Sequence, residues 1–432
     1  MTQRANFRHD ASTNFNQGGI GHRFAHLKGY VDHRILFSPA TAFALAICGT
    51  YAFSGIVNRF SPEGSIGSIL VRLGIILVIS TSFILIPSRF RSSTPALLPI
   101  KIFFIFYISR LVENFYVSSV DIPPGPVGVF SFLLMNGVGP ALLISSMDRT
   151  IRNENLNLAM NALCMIFLVG LFLNRDLLFA SGTDRMSLDK INPISMGHTA
   201  SLFLIFFILL TEKTRKLSII TMVLCPLLFL VLVWARSRGA YIAGAGALLI
   251  YVLLLKGSKR VFAICGAIAV GVVIVASSGT ELIDVITTRL AQIDANSDQS
   301  TMARSLMYTG AWRQFQEDPL FGRYAVEMQF HFYPHNIYLE SLISVGLIGS
   351  LPFAAHIILA LRSTVGIIRS GKFPLAAVLT AVLFIREAIA GLASGSLWGS
   401  TTFWITSALT ISFWYGYQGF LDRSRRLENR AY

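Results

Sequence analysis

The sequence predicts an all-α polytopic membrane protein with about twelve transmembrane helices. Of its 432 residues, 53% are hydrophobic and only 13% are charged. Apolar runs of about 20 residues, the length needed to cross the hydrocarbon core as a helix, recur along the whole chain. Lys and Arg are concentrated in alternate connecting segments, as expected when a chain crosses the membrane repeatedly.

The first apolar run follows a polar, basic segment of 34 residues and is too long for the core of a cleaved signal peptide. It therefore predicts a first span that stays attached. The predicted spans cover roughly residues 35–57, 66–87, 95–115, 126–146, 157–173, 194–211, 218–234, 240–255, 261–278, 337–361, 374–392 and 402–420. The domain organisation expected from them is a cytoplasmic tail over 1–34, one transmembrane domain over 35–420, and a cytoplasmic tail over 421–432.

The positive charges predict the orientation of these spans. Of the 36 Lys and Arg residues, 22 lie on one side, 10 on the other and 4 within spans. The positive-inside rule makes the richer side cytoplasmic, together with both termini. Residues 279–336 then form a large periplasmic loop, and 174–193 a second external loop. Because the net charge of +14 mostly follows topology, it gives no support to a nucleic-acid partner.

Several arginines lie where a span would ordinarily exclude charge. Arg72, Arg110 and Arg386 fall within spans at the depth of the outer third of the bilayer. One interpretation is structural, since Arg110 can pair with Glu113 and Arg386 with Glu387. The other is a cationic pocket for a diphosphate lipid, because guanidinium binds phosphate oxygens in a bidentate fork. For Arg386 the structural interpretation is favoured.

Two further arginines stand in a short external turn between apolar runs. The stretch "WARSRGAY" contains Arg236 and Arg238. Guanidinium groups at such a boundary can reach lipid headgroups, but this is the less favoured of the two interpretations, because positive charge is disfavoured on the outer side. The alternative is that this turn supplies cations to a substrate.

The stretch "HFYPHNIYLE" marks the entrance to the tenth predicted span. Pro334 favours a helix start, and Asn336 can accept a hydrogen bond from a first-turn amide. The positive end of the helix dipole and nearby arginines should lower the pKa of His335, which keeps the imidazole neutral and able to act as a base. Supporting residues expected around it are His331, Asn336, Tyr338 and Glu340. A metal site at His331 and His335 ranks low, because no further ligands with suitable spacing accompany them.

Three stretches resemble the O-antigen ligase and polymerase family, the Wzy and WaaL group of bacterial membrane proteins. They are "PHNIYLESLISVGLIG", "ARSLMYTGAWRQFQEDPLFG" and "SRGAYIAGAGALL". Their order and spacing are similar to the family pattern over about residues 185–350, and the rest of the chain is similar only in topology.

This resemblance implies a GT-C-like membrane glycosyltransferase of the bacterial inner membrane that needs no metal or other cofactor. Its donor would be a glycan linked to undecaprenyl diphosphate. The family pattern places the catalytic histidine at His335 and diphosphate-contacting arginines at Arg238 and Arg304, with Arg185 as a weaker candidate. Arg236, Arg72 and Arg110 remain further candidates for substrate binding.

Two functions within the family stay open. A polymerase would extend a lipid-linked O-antigen or exopolysaccharide, whereas a ligase would transfer the finished chain to lipid A core. We favour the polymerase slightly because no acceptor-specific feature is visible. Membrane lipids, and a chain-length regulator or a flippase, are the other expected partners. A transporter or a scaffolding protein is a more remote alternative, since no internal repeat is visible and the unusual arginines gather at one face.

Overall fold

The computed structural model describes residues 35–60, 66–91, 94–178, 192–257, 260 and 299–428. Twelve helices of at least 16 residues occur within these ranges. They are α1 (Pro39–Phe60), α2 (Ile66–Leu85), α3 (Pro95–Tyr116), α4 (Pro126–Ser145), α5 (Asn153–Leu173), α6 (Pro193–Thr214), α7 (Ile219–Ala235), α8 (Arg238–Leu254), α9 (Gln299–Glu317), α10 (Ile337–Ser370), α11 (Leu375–Ala390) and α12 (Thr401–Glu428).

The predicted class of an all-α polytopic membrane protein is confirmed. Seven of these helices, α1 to α6 and α10, are long and apolar enough to cross a membrane, and α7 and α8 are shorter apolar helices. Eleven predicted spans coincide with helices, while the span at 261–278 lies outside the described residues. Between it and α10, the predicted external loop contains the helix α9, so that part of the loop has a defined structure.

The helix α10 is longer than the sequence predicts. The predicted span ends near residue 361, but the helix continues to Ser370 and closes at Gly371, which has a φ of 67°. One face of this extension, which includes Ser363 and Ile367, is buried within the protein, while Arg362 and Arg369 are exposed. The Ser363 hydroxyl donates to the Leu359 carbonyl at 2.7 Å, and Gly366 lets the Trp414 ring of α12 approach closely. Burial against α12 therefore carries the helix past its apolar run.

An aromatic core lies between α3, α10 and α12. Trp404 of α12 is fully buried, and its ring centre lies 4.7 Å from that of Phe104 and 5.6 Å from that of Phe353. The Trp404 indole nitrogen donates to the Leu397 carbonyl at 2.8 Å, which satisfies its one polar atom. The α11–α12 connection that contains Leu397 is thereby fixed to the core.

Two helices contain π-helical segments. Residues Leu45–Gly49 of α1 and Phe132–Val138 of α4 are wound in this wider form. Such segments are rare and occur often at functional sites. Both segments line the same cleft between α1, α2 and α4.

Candidate functional site

The helix α10 begins where the sequence predicts. Asn336 is its N-cap, and the Asn336 side-chain oxygen accepts hydrogen bonds from the backbone amides of Tyr338 at 3.0 Å and Leu339 at 3.1 Å. His335, immediately before the cap, has a left-handed backbone with a φ of 56°. Histidine and asparagine tolerate this conformation better than branched side chains do. The left-handed turn sets the direction of the imidazole relative to the helix entrance.

The end of α11 joins the elements that surround His335. The amide of Ile337 donates to the Gly391 carbonyl at 3.0 Å, and the Tyr338 hydroxyl donates to the Ala388 carbonyl at 2.7 Å. From α9, the Tyr308 hydroxyl donates to the Leu392 carbonyl at 3.0 Å. These three bonds fix the start of α10 and the helix α9 to one end of α11.

Packing between α9 and α10 places Arg304 near the histidine. Ala311 and Phe315 of α9 bury against Ile343 of α10. About two to three turns earlier on α9, Arg304 is half-buried, and its charge acts on His335. The structure thus brings together two of the residues that the family pattern singles out.

The environment of His335 keeps its imidazole neutral. Its ring centre lies 4.6 Å from that of Tyr333 and 5.5 Å from that of Phe332. Burial, followed by the positive charge of Arg304, lowers the pKa of His335 to about 4. The direction agrees with the sequence prediction, and burial contributes most. Burial also raises the pKa of the neighbouring Tyr333 phenol.

The turn between α7 and α8 positions Arg236 and Arg238. Arg236 is the C-cap that follows Ala235, the last residue of α7, and its backbone is left-handed, with a φ of 45°. Ser237 then caps α8, where its hydroxyl accepts from the Ala240 amide at 3.4 Å, and Arg238 is the first helical residue. The motif therefore presents Arg238 at the positive end of a helix, where an anion is favoured electrostatically.

Close packing of α6 connects this turn to the end of α11. A Cβ atom on Gly197 would lie only 3.0 Å from that of Ala240, so α6 and α8 approach closely at this point. The adjacent His198 carbonyl accepts a hydrogen bond from Arg386 at 2.6 Å. The predicted pair of Arg386 with Glu387 is also formed, in agreement with the structural interpretation of Arg386.

Arg110 has a bonding pattern that explains its place within a span. Its Nε donates to the Ser344 carbonyl at 2.8 Å, and one terminal nitrogen donates to the carbonyls of Phe321 at 3.1 Å and Gly322 at 3.0 Å. The other terminal nitrogen pairs with Glu113 at 2.5 Å, as predicted. Every nitrogen of the guanidinium has a protein partner, which favours a structural role over phosphate binding.

The carbonyls that Arg110 binds belong to an interlock, formed by residues 319–323 and 343–348. Within α10, Gly346 is non-helical, with a φ of 63°. The backbone of Leu320 and Phe321, in the preceding turn, lies directly against Gly346. The amide of Leu347 donates to the Pro319 carbonyl at 2.8 Å, and the amide of Arg323 donates to the Ile343 carbonyl at 2.9 Å. The backbone groups that lose their helical partners at this break therefore find hydrogen-bond partners in the turn.

Two glycines make this interlock possible. A Cβ on Gly346 would lie 2.3 Å from the Leu320 carbonyl carbon, and one on Gly322, which has a φ of 62°, would lie 2.6 Å from the Gly346 nitrogen. Only glycine combines this backbone conformation with so close an approach. The "PLFG" end of one family-like stretch (residues 319–322) and the "VGLIG" end of another (residues 345–349) thus form one structure.

Two buried polar residues hold the connecting segments around His335. The Asn114 side chain of α3 accepts from the Ala325 amide at 2.8 Å and donates to the Arg323 carbonyl at 3.0 Å. Glu340, which is fully buried, accepts from the Tyr107 hydroxyl at 2.8 Å and from the Leu397 amide at 2.9 Å. Glu340 thus fixes the α11–α12 connection, while Tyr338 is bonded to α11.

The remaining predicted site residues lie elsewhere. His331 is exposed, with a left-handed backbone at a φ of 51°. Arg72 projects into the cleft between α1, α2 and α4. Arg185 lies outside the described residues. Among the residues that the structure describes, no three His, Cys, Asp or Glu side chains are grouped so that they could hold a metal ion.

Sequence reasoning missed Tyr308, Asn114 and Trp398. Trp398 contacts the Tyr333 ring, with 5.9 Å between the ring centres. Its signal was an aromatic residue in the short "GSLWGS" connection between two spans. Tyr308 lies on the same face of α9 as Arg304, one turn later, and this spacing was a usable signal. Asn114 offered no local pattern, because its partners are more than 200 residues away in the chain.

Together these features define a multi-pass membrane protein whose neutral histidine lies at a helix entrance, within the influence of the Arg304 charge. Residues 217–354 match the family model described as O-antigen ligase. This segment contains Arg238, Arg304, His335 and both interlocking glycines. This match over residues 217–354 confirms the resemblance identified from the motifs. No curated protein matches the chain at a significant level.

Proposed function

We propose that the protein transfers a glycan from an undecaprenyl-diphosphate-linked donor to an acceptor hydroxyl at the periplasmic face of the bacterial inner membrane. The family match supports surface-polysaccharide synthesis by a ligase-type or polymerase-type enzyme. The observation that carries the proposal further is the neutral, half-buried His335, held at the start of α10 beside Arg304.

In this proposal His335 is the general base. It accepts the proton of the acceptor hydroxyl while the hydroxyl oxygen forms a bond to the anomeric carbon. The bond from that carbon to the diphosphate oxygen breaks, and its electron pair stays on the diphosphate. Attack from the side opposite the leaving group inverts the anomeric configuration. A pKa near 4 leaves the imidazole unprotonated at neutral pH, so it is ready to accept the proton.

The arginines stabilise the leaving group. Negative charge develops on the diphosphate oxygen as the bond breaks, and fixed guanidinium groups can stabilise it without a resident metal. Arg304 is the best supported of them, because its charge already acts on His335. Arg238 joins it at the positive end of α8, and Arg236 and Arg185 are secondary candidates. Arg110 is the weakest candidate, because its nitrogens are bonded within the interlock.

Polymerase and ligase remain the two candidate activities. We retain the slight preference for a polymerase, in which the acceptor is another lipid-linked repeat unit. The description of the matching family model favours the ligase, in which the acceptor is lipid A core. Both activities use the same donor chemistry, so His335 and the arginines keep their roles in either case.

The deciding experiment supplies purified protein in lipid vesicles with a lipid-linked repeat unit, with and without lipid A core. A ladder of chain lengths without core supports the polymerase. Transfer to core with no ladder supports the ligase. If the wild-type protein forms neither product while it binds the lipid-linked unit, the proposal of glycan transfer is wrong.

A further inference from the structure

A cleft opens between α1, α2, α4 and the start of α12. It is partly open, and its cavity volume is about 60 Å³. Its polar lining consists of Thr50, Tyr51, Arg72, Asn136 and Thr401. Phe132 and Ile75 are among the apolar residues that complete its walls. A single cation among hydroxyl and amide groups suits an oxygen-rich anion.

No carboxylate is among the described residues that line this cleft with Arg72. Its guanidinium carbon lies 4.2 Å from the ring centre of Phe132, an arrangement that orients the group. Its Nε is buried and has no hydrogen-bond partner among the described residues. Arg110, on the neighbouring helix α3, has a partner for each nitrogen. A buried donor without a partner is costly, so the position of Arg72 calls for a ligand in a way that the position of Arg110 does not.

The cleft is shaped by the two π-helical segments. Ala46 lies in the segment of α1, and Phe132, Met135 and Asn136 lie in that of α4. A π turn accommodates an extra residue and displaces side chains from regular α spacing. Two helices that depart from α geometry at the same place indicate a built opening between them.

Aromatic rings connect the cleft with the catalytic base. The ring centre of Phe132 lies 5.6 Å from that of Trp398, which lies 5.9 Å from that of Tyr333. The Tyr333 ring centre is in turn 4.6 Å from that of His335. A molecule anchored at Arg72 can therefore extend along this wall toward His335.

The outer surface of α2 is suited to a lipid chain. Ile69 and Leu73, within a turn of Arg72, are 48% and 45% exposed. Ile75 and Ile79 of the same helix face inward and are buried. A lipid lying against α2 would thus have its apolar chain on Ile69 and Leu73 and its headgroup within reach of Arg72.

We propose that the Arg72 cleft binds the phosphate group of the second lipid substrate, the acceptor. The inference rests on the proposed function, which assigns the donor diphosphate to Arg238 and Arg304. His335 then lies between two phosphate sites, one reached from α8 and α9 and the other along the wall of Phe132, Trp398 and Tyr333. The acceptor hydroxyl approaches the base from the Arg72 side.

The test counts lipid molecules bound to the full chain. Protein in nanodiscs of neutral phospholipid is titrated with undecaprenyl diphosphate, and the bound equivalents are counted by native mass spectrometry. Wild type is expected to bind two equivalents and Arg72→Gln one. A second arm uses phosphorylated lipid A. If wild type binds one more molecule of either lipid than Arg72→Gln does, the result supports the proposal, because both lipids carry a phosphate group.

The matched control is Arg91→Gln. Arg91 is also near α2 and lies over a phenylalanine ring, Phe83, at 4.0 Å, but it donates to backbone carbonyls and does not line the cleft. It is expected to retain both equivalents. Thermal unfolding temperatures of the two variants, measured in parallel, establish that each is folded, and Arg72→Lys provides a variant that keeps the charge.

Two results overturn the proposal. One is a folded Arg72→Gln that still binds two lipids. The other is displacement of the Arg72-dependent lipid by inorganic diphosphate at the same concentration as the lipid. That result would assign the cleft to a free anion. Failure of the proposed function is distinguishable from both results. In that case wild type transfers no glycan, and Arg304→Gln leaves lipid binding unchanged.

Discussion

The interlock at Gly346 and the surface around His335 differ in how their polar groups are used. In the interlock, the freed backbone groups of α10 and the Arg110 nitrogens are bonded within the protein. Around His335 the imidazole is kept neutral, and in the adjoining cleft the Arg72 Nε has no hydrogen-bond partner among the described residues. Charged residues at similar predicted depth therefore serve different purposes. Changes in the interlock should lower stability, and changes around His335 should lower the rate of transfer.

The largest effect is expected from Gly346→Ala. The new Cβ would lie 2.3 Å from the Leu320 backbone, and alanine strains a φ of 63°. Strain of this type alone costs about 1–3 kcal/mol, and the overlap adds to it. We expect little folded protein, measured as the yield of monodisperse protein after detergent extraction.

Gly371→Ala is the matched control for this substitution. Gly371 has a similar φ of 67°, but nothing lies within 4 Å of its added Cβ. It should reduce stability by no more than about 1–2 kcal/mol. Equal yields from the two variants would contradict the interlock.

The second effect concerns Arg110→Gln. Glutamine cannot replace the bonds to Ser344, Phe321 and Gly322 together, and hydrogen bonds to charged groups contribute about 1.5–3 kcal/mol each. We expect a loss of about 2–4 kcal/mol, measured as a lower thermal unfolding temperature in detergent. Arg59→Gln is the control, because its pair with Asp176 is 3.4 Å long and exposed. It should cost less than about 1 kcal/mol. A phosphate-binding Arg110 would instead lose lipid binding at unchanged stability.

A smaller effect, on pH dependence, is expected from Arg304→Gln. In wild type the base is lost only as the pH falls through about 4, so the acid limb of kcat/KM should lie near that value. Removing the positive charge of Arg304 raises the pKa of His335 and moves this limb to higher pH, along with a lower maximal rate. Burial, the larger cause of the shift, remains, so the limb should stay below 6.5.

Arg313→Gln controls for the loss of a cation from the same helix. Arg313 lies on α9 and is exposed. The acid limb of kcat/KM for Arg313→Gln should coincide with that of wild type. An Arg304→Gln limb at the wild-type position would show that Arg304 does not act on the base.

Much of the fold followed from local features of the sequence. Apolar run length predicted the helices, and Pro334 with Asn336 predicted the start of α10 at residue 337. The Arg110–Glu113 and Arg386–Glu387 pairs also followed from spacing along a helix. These features depend on neighbours in the chain, which a single sequence displays directly.

The remaining features depend on contacts between distant segments. Arg72 and Arg110 could not be separated by sequence, because the carbonyls that engage Arg110 come from the turn at 319–322 and from the break in α10. The cleft likewise requires π segments in α1 and α4, which no residue pattern announced. The extension of α10 to Ser370 depends on burial against α12.

The central claim is that His335 is the base, and the most direct test compares His335→Asn with His331→Asn. Both histidines have left-handed backbones, which asparagine tolerates, so the comparison isolates the imidazole. Initial rates of glycan transfer are measured in vesicles containing equal amounts of folded protein. We predict that His335→Asn lowers the rate by about 10²- to 10⁴-fold and that His331→Asn retains the wild-type rate. A wild-type rate from folded His335→Asn would contradict the account.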